Sequence, residues 1–202
     1  MRYRGWFLWI GSALVIGGAA VLAWHSWTLH EQDASQRRAK EWLTRTREVH
    51  RNSAQRAEHV APHRVIPALP LRRGDVVGEL AIPRLRLSVM VFEGDDAGIL
   101  REGAGHIPGT ALPFGRGNIG IAAHRDTFFR PLRLIHPEDV ITIKTPAGMS
   151  RYTVTKTEIV TPSDVGVLAS GAERNLTLVT CYPFSYIGSA RARFIVHAKR
   201  IG

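Results

Sequence analysis

Residues 175–184 read Asn-Leu-Thr-Leu-Val-Thr-Cys-Tyr-Pro-Phe, and this stretch carries most of the information about the fold. Its alternation is typical of a β-strand, in which successive side chains point to opposite faces. The two faces carry Leu176, Leu178 and Thr180 on one side and Thr177, Val179 and Cys181 on the other. Proline cannot donate to a strand ladder, so Pro183 ends the strand. The thiol of Cys181 is therefore predicted at a strand end, beside an opening.

Six further alternating runs, separated by glycine and proline, predict strands in the part of the chain that begins at Gly78. They cover residues 78–82, 88–92, 118–123, 140–144, 152–160 and 194–199. Only residues 163–170 predict a short helical turn. Seven or eight short strands at this spacing are typical of an antiparallel barrel or sandwich, so the predicted class is all-β.

The composition fits one compact domain with an appendage. The chain has 202 residues, of which 45% are hydrophobic, and this share excludes wholesale disorder. The single cysteine excludes an intramolecular disulfide, and the histidines lack metal-ligand spacing, so we expect neither a metal nor a cofactor. The net charge of +10 is spread along the chain. Spread charge argues against nucleic acid as a partner and suits a surface that faces anionic lipid or envelope polymer.

An uncharged run near the amino terminus predicts a membrane anchor. Residues 5–24 read GWFLWIGSALVIGGAAVLAW, which is long enough as a helix to span a bilayer. Tryptophans lie towards both ends of this run, where indoles favour the headgroup level. We therefore expect residues 5–27 to cross the lipid bilayer once, after a cytoplasmic tail at residues 1–4. The alternative is a cleaved signal peptide, but the run is longer than an ordinary signal core. Charge on the two flanks leaves the orientation open.

Residues 28–77 are predicted as a helical stalk and a proline-containing linker. Residues 28–60 contain no glycine or proline, and their apolar stripe is thin, which favours a solvated helix. The prolines at 62, 67 and 70 then favour an extended connection to the domain over residues 78–202.

Cys181 is a candidate nucleophile, although buried packing is the more common role of a free cysteine. A thiol with a pKa near ~8.5 needs a positioned base or cation to react at neutral pH. His106 and His124 both lie where strands meet loops, and their spacing does not choose between them. His136 is predicted in a solvated loop, and His197 is predicted as a structural or surface residue of the last strand.

Arg191 and Arg193 share a face of the last predicted strand. If that strand pairs with the one that ends in Cys181, a guanidinium can stabilise a thiolate or an oxyanion. The alternative is a solvated edge arginine. The tripeptide His124-Arg-Asp126 is similar to a kinase catalytic loop, but Pro131 stands where that motif needs asparagine, and no glycine-rich phosphate loop is present.

Five motifs, taken in order, resemble the sortases, which are membrane-anchored cysteine transpeptidases. They are G-E-L-A-I-P-R-L-R-L at 78–87, G-H-I-P-G-T at 105–110, N-I-G-I-A-A-H-R-D-T-F-F-R-P-L at 118–132, T-L-V-T-C-Y-P-F at 177–184 and R-F-I-V at 193–196. The C-Y-P-F ending is most similar to class D sortases.

The resemblance implies a closed eight-stranded β-barrel with short helical turns, and a catalytic triad of His124, Cys181 and Arg193. It thereby selects between the two histidines. Arg191 stands where the family commonly has a small residue or proline, so Arg193 is the expected catalytic arginine. Thr180 and Arg191 are kept as candidate substrate-binding residues.

The implied partners are a protein that carries a sorting signal resembling Leu-Pro-x-Thr-Gly and an amine acceptor of the cell envelope. The implied location is the cell membrane, with the catalytic domain outside the cytoplasm. Two alternatives remain: a cysteine hydrolase that passes the acyl group to water, and an anchored module that binds anionic envelope polymer without catalysis.

Overall fold

The alternating runs beyond residue 71 form the eight strands of one closed barrel in a computed structural model that describes residues 14–24, 26, 33–34, 36–48, 71–186 and 188–201. The strands are β1 (Val76–Ile82), β2 (Leu87–Glu93), β3 (Ala104–His106), β4 (Gly117–Ala122), β5 (Val140–Thr145), β6 (Gly148–Val160), β7 (Arg174–Tyr182) and β8 (Ala192–Ile201). The closed eight-stranded barrel that the resemblance implies is confirmed. Among the strands, the sequence analysis missed only β3, because three residues are too few to display an alternating pattern; it also missed the α-helix Ala97–Glu102.

The order of strands around the barrel is β1-β2-β3-β4-β7-β8-β6-β5, and β5 pairs with β1 to close it. Most neighbours are antiparallel, but β2 with β3 and β4 with β7 are parallel. In a parallel pair the carboxyl ends of both strands lie at the same edge. The ends of β4 and β7 therefore meet at one edge of the barrel, and the antiparallel β8 begins there.

Alternate residues of the strands fill the barrel. Leu80, Ile121, Ile141, Ile143, Leu176 and Leu178 are fully buried. Phe129 and Leu132, before and within the 3-10 helix Arg130–Leu134, add to the same core. The α-helix Ala97–Glu102 and the 3-10 helices Pro83–Leu85 and Val165–Leu168 connect strands. The last of these lies within the helical turn predicted over residues 163–170.

Residues 36–48, here called the docked segment, are helical and pack against the outside of the barrel. Ala39 and Leu43 are buried in a cluster with Met90, Phe92 and Ile99. The apolar stripe of the docked segment is therefore buried against the barrel. This corrects the expectation of a solvated stalk for these residues.

Side-chain hydrogen bonds to the barrel backbone fix the docked segment in place. Gln36 Oε1 accepts from the Met90 amide at 2.7 Å, and Gln36 Nε2 donates to the Glu102 carbonyl at 2.6 Å. On β2, only residues Val91–Glu93 pair with β3. The Met90 amide, which lies just before them, therefore needs another partner. Gln36 supplies it.

The predicted anchor is described only in part. Residues 14–24 are helical and exposed, and no helix within the described residues is long and apolar enough to cross a membrane. The rest of residues 1–27, apart from Ser26, and the linker over residues 49–70 lie outside the described residues.

We predict that Leu43→Ala lowers the free energy of unfolding of the full chain by about 2–3 kcal/mol, at the low end for buried leucines because the cluster is small. Leu43 is 4% exposed, whereas the adjacent Trp42 is 46% exposed. Trp42→Ala is the matched control and should cost less than about 0.5 kcal/mol. Urea unfolding of both variants measures the difference, and equal stabilities would contradict the docking of this segment.

Candidate active site

The parallel pairing of β4 with β7 places His124 beside the end of β7. The last paired residues are Ala122 and Val179, and the Ala123 amide donates to the Val179 carbonyl at 3.2 Å. His124 is the next residue of the chain and is half-buried. Its carbonyl accepts from the Phe129 amide at 3.0 Å, which turns the chain back towards the barrel. The backbone on both sides of His124 is therefore held by hydrogen bonds.

Thr180 points into the barrel and fixes the same position from inside. It is 2% exposed, and its hydroxyl donates to the Ala123 carbonyl at 2.7 Å. This bond joins the residue before Cys181 to the residue before His124. The Thr180 side chain is thus directed away from the outer surface, where a substrate would lie.

Arg193 is the direct antiparallel partner of Cys181. Cα atoms of such partners lie about 4.5–5.5 Å apart, and their side chains share a face of the sheet. The Arg193 Nη1 donates to the carbonyls of Ala192 at 3.2 Å and Ala190 at 3.5 Å. Within the described residues it forms no ion pair with a carboxylate, so its charge is available to the face that carries Cys181.

Arg191 precedes β8 and is exposed. The sequence placed it on the same strand face as Arg193, but the strand begins one residue later, at Ala192. The structure thus brings His124, Cys181 and Arg193 to one barrel edge, where the adjacent strands β4 and β7 end and β8 begins. It leaves Arg191 in the preceding loop.

Cys181 is a free, half-buried cysteine one residue before the end of β7. As predicted, the strand ends at Tyr182, before Pro183. Three aromatic rings pack next to it: the centroids of Tyr182 and Phe194 lie 6.4 Å apart, and those of Phe184 and Phe194 lie 5.2 Å apart. This cluster, which the sequence analysis missed, supports the strand ends beneath the Cys181–Arg193 pair. The Cys-Tyr-Pro-Phe spacing was the signal that could have revealed it.

The other histidines of the barrel have structural surroundings. His106 is buried, with Nδ1 2.7 Å from Glu93 Oε2 and Nε2 3.0 Å from the Ala111 carbonyl oxygen. His197 lies in β8 with Nε2 2.6 Å from Glu158 Oε1. Hydrogen bonds from Lys156 and His197 lower the pKa of the Glu158 carboxyl.

His136 lies in an exposed loop, as predicted. No group of three potential ligands that could hold a metal ion occurs among the described residues.

The outer face of β4 and β7 is covered at the end away from Cys181 and is more exposed near Cys181. At its far end the 3-10 helix Val165–Leu168 covers β4, where a side chain at Gly120 would lie 3.0 Å from Leu168 Cδ2. Towards the site, the outward residues Ala122 and Val179 are only half-buried. The outer face of these two strands is therefore more exposed beside Cys181 than beneath the 3-10 helix.

The chain matches a known protein family over most of its length. The family model described as the sortase domain matches residues 80–201. Sortase D of Bacillus subtilis (strain 168) is 36% identical over 129 residues, which cover 63% of this chain and 65% of that protein. Sortase A of Listeria monocytogenes is 30% identical over 110 residues, which cover 52% of this chain and 49% of that protein. The chain thus matches between about half and two thirds of the length of these relatives.

Solved structures share the fold. A sortase D5 transpeptidase of Clostridium perfringens superimposes with a TM-score of 0.67 at 24% identity, covering 84% of this chain and 99% of that one. Sortase A of Listeria monocytogenes superimposes with a TM-score of 0.58 at 26% identity, covering 63% of this chain and 88% of that one.

Proposed function

Since this chain belongs to the sortase family, whose members are cysteine transpeptidases, we propose that it cleaves a sorting signal resembling Leu-Pro-x-Thr-Gly and transfers the target protein to an envelope amine. The observation that carries the proposal is the register of β7 with its two neighbours. It sets Arg193 directly opposite Cys181 and brings His124 to the end of the strand on the other side.

The first half of the reaction forms a thioester. The Cys181 thiol transfers its proton to His124, and the thiolate attacks the threonine carbonyl carbon of the signal. As the tetrahedral intermediate collapses, the carbon–nitrogen bond breaks, and the His124 imidazolium protonates the leaving amine. The target protein is then held by Cys181 through its threonine.

The second half reverses these proton transfers with a different amine. The acceptor loses a proton to His124 and attacks the thioester carbonyl, and the carbon–sulfur bond breaks. The Cys181 thiolate is released, and the target is joined to the acceptor by an amide bond.

Arg193 stabilises the oxyanion that forms in both halves. Its guanidinium keeps its charge and presents donors in a planar fork, which suits a carbonyl oxygen that gains charge. Two features support this role: Arg193 lies opposite Cys181 on the same face, and it has no carboxylate partner within the described residues.

The proposed location is the cell membrane, with the barrel outside the cytoplasm. Support comes from the uncharged run over residues 5–24 and from the tryptophans near its ends. The docked segment would then hold the barrel close to the end of the anchor.

The first prediction tests the reaction itself. A Leu-Pro-x-Thr-Gly peptide incubated with the full chain and an amine should give a ligated product, with a thioester on Cys181 detectable by mass spectrometry. Cys181→Ala and His124→Ala should abolish cleavage while thermal unfolding stays nearly unchanged, because both residues lie at strand ends. Hydrolysed peptide alone at saturating amine would identify a hydrolase. A panel of such peptides that yields neither cleavage nor labelling would identify a module without catalysis.

The second prediction separates the two arginines. Arg193→Lys should lower peptide turnover about a hundredfold or more, because lysine keeps the charge but loses the planar fork. Arg191→Lys is the matched control and should change turnover only a few-fold, as expected for an exposed surface charge. Steady-state kinetics of both variants measure the gap, and a larger loss at residue 191 would reverse the assignment.

The third prediction concerns the anchor. The full chain should stay with membranes after a carbonate wash, whereas a chain that starts at Asp33 should be soluble and active. A chain that starts at Leu71 should also be soluble but less stable, because it lacks the docked segment. A soluble mature protein beginning near Trp24 would instead establish a cleaved signal peptide.

A further inference from the structure

A pocket lies beside the proposed catalytic residues. It is formed by the segment that follows His124 and the loop that follows Cys181. It has a volume of about 490 Å³. The first segment contributes Arg125, Asp126 and Arg130, and the loop contributes Ser185 and Tyr186. Two guanidinium groups and one carboxylate give the pocket a net positive charge.

Arg125 is the unusual member of this pocket. It is only 8% exposed, and one nitrogen, Nη2, donates to the Gly188 carbonyl at 2.8 Å. The other terminal nitrogen, Nη1, is buried and has no hydrogen-bond partner among the described residues. A buried charged donor without a partner is costly, so this nitrogen is suited to an oxygen of a ligand.

The Tyr186 ring, which lies over Arg125, is easily displaced. The Tyr186 ring lies 5.9 Å from the guanidinium carbon, and Tyr186 is 53% exposed. A cation–π contact at an exposed site is weaker than a charge-assisted hydrogen bond. An arriving oxyanion can therefore replace the ring over the guanidinium.

The chemistry of the pocket favours a carboxylate over a phosphate. The one open nitrogen of Arg125 can donate to one oxygen of a carboxylate, and Arg130 adds a second positive charge at the same pocket. Asp126 repels a doubly charged phosphate more strongly than it repels a singly charged carboxylate.

We propose that Arg125 and Arg130 form a subsite for a carboxylate of the acceptor amine. This inference rests on the acyl transfer proposed above, in which His124 handles the leaving and the entering amine. The leaving fragment of an internal peptide bond has no free carboxylate close to its new amine, whereas an amino acid or dipeptide acceptor has one within one residue of its amine. The favoured acceptors are therefore amines that carry a nearby free carboxylate.

Paired acceptors that differ only at the carboxylate test the subsite on the full chain. Nα-acetyl-lysine and Nα-acetyl-lysinamide offer the same side-chain amine, and diglycine and diglycinamide place the carboxylate closer to the amine. We expect kcat/KM for transfer to be about tenfold higher with the carboxylate in at least one pair, which is the effect of one charge-assisted hydrogen bond. Peptide cleavage without an acceptor is measured in parallel. Normal cleavage with equal transfer in both pairs overturns the subsite alone, whereas absent cleavage overturns the proposed function.

Three variants test which residues produce the preference for acceptors that carry a carboxylate. Arg125→Gln should remove the preference, and Arg130→Gln should reduce it about threefold. Arg133→Gln is the matched control, because Arg133 is an exposed arginine of the same 3-10 helix that does not line the pocket, and it should keep the preference.

Because Arg125→Gln also loses the bond to Gly188, binding is measured separately from the reaction. NMR titration of the carboxylate acceptor of each pair against Cys181→Ala should show, for the pair with the preference, saturable binding that Arg130→Gln weakens and the matching amide lacks. Equal binding of acid and amide in both pairs overturns the proposal.

Discussion

The parallel pairing of β4 with β7 is the constraint on which the site depends. His124 and Cys181 lie 57 positions apart in the chain, and they meet only because their two strands end at the same barrel edge. An antiparallel pair would send the end of β4 to the opposite edge from the end of β7. The antiparallel β8 then starts where β7 ends, so that Arg193 faces Cys181 across one ladder step. All three groups are thus positioned by backbone pairing, and no long flexible side chain has to reach across the barrel.

The sequence predicted the strands well because each was long enough to display alternation, and it failed where the pattern is short or non-local. β3 has three residues, and its sequence, Ala-Gly-His, contains no alternation. The parallel pairings could not be read from the sequence, because pairing direction is a property of the whole barrel. The choice between His106 and His124 needed either the family resemblance or the observation that both ring nitrogens of His106 have structural partners. The sortase resemblance itself is confirmed by the family match, and Sortase D of Bacillus subtilis is 36% identical to this chain over 129 residues.

The docked segment shows why a thin apolar stripe was misinterpreted. A helix that packs on a barrel needs only a few buried side chains when hydrogen bonds fix its position, and Ala39 and Leu43 are sufficient here. The decisive contact is Gln36, a polar residue that hydropathy patterns count as solvated. Its amide group serves the Met90 amide, left open because β3 is short, and the Glu102 carbonyl at the end of the helix Ala97–Glu102. The same short strand that the sequence analysis missed therefore creates the place where this segment binds.

Strand alternation also places the last residues of β7 on opposite faces, where they have different roles. Thr180 points inward, and its hydroxyl ties β7 to the Ala123 carbonyl, while the next residue, Cys181, lies on the outer face. The residue after His124 has a corresponding role on the outside, since Arg125 ties the segment after β4 to the loop after β7 through Gly188. His124 and Cys181 thus each have a neighbour in the chain that joins the two strand ends. The inner link is buried and fully hydrogen-bonded, so it favours a rigid site. The outer link leaves one guanidinium nitrogen unpaired, so it is the position at which the site can still respond to a bound molecule.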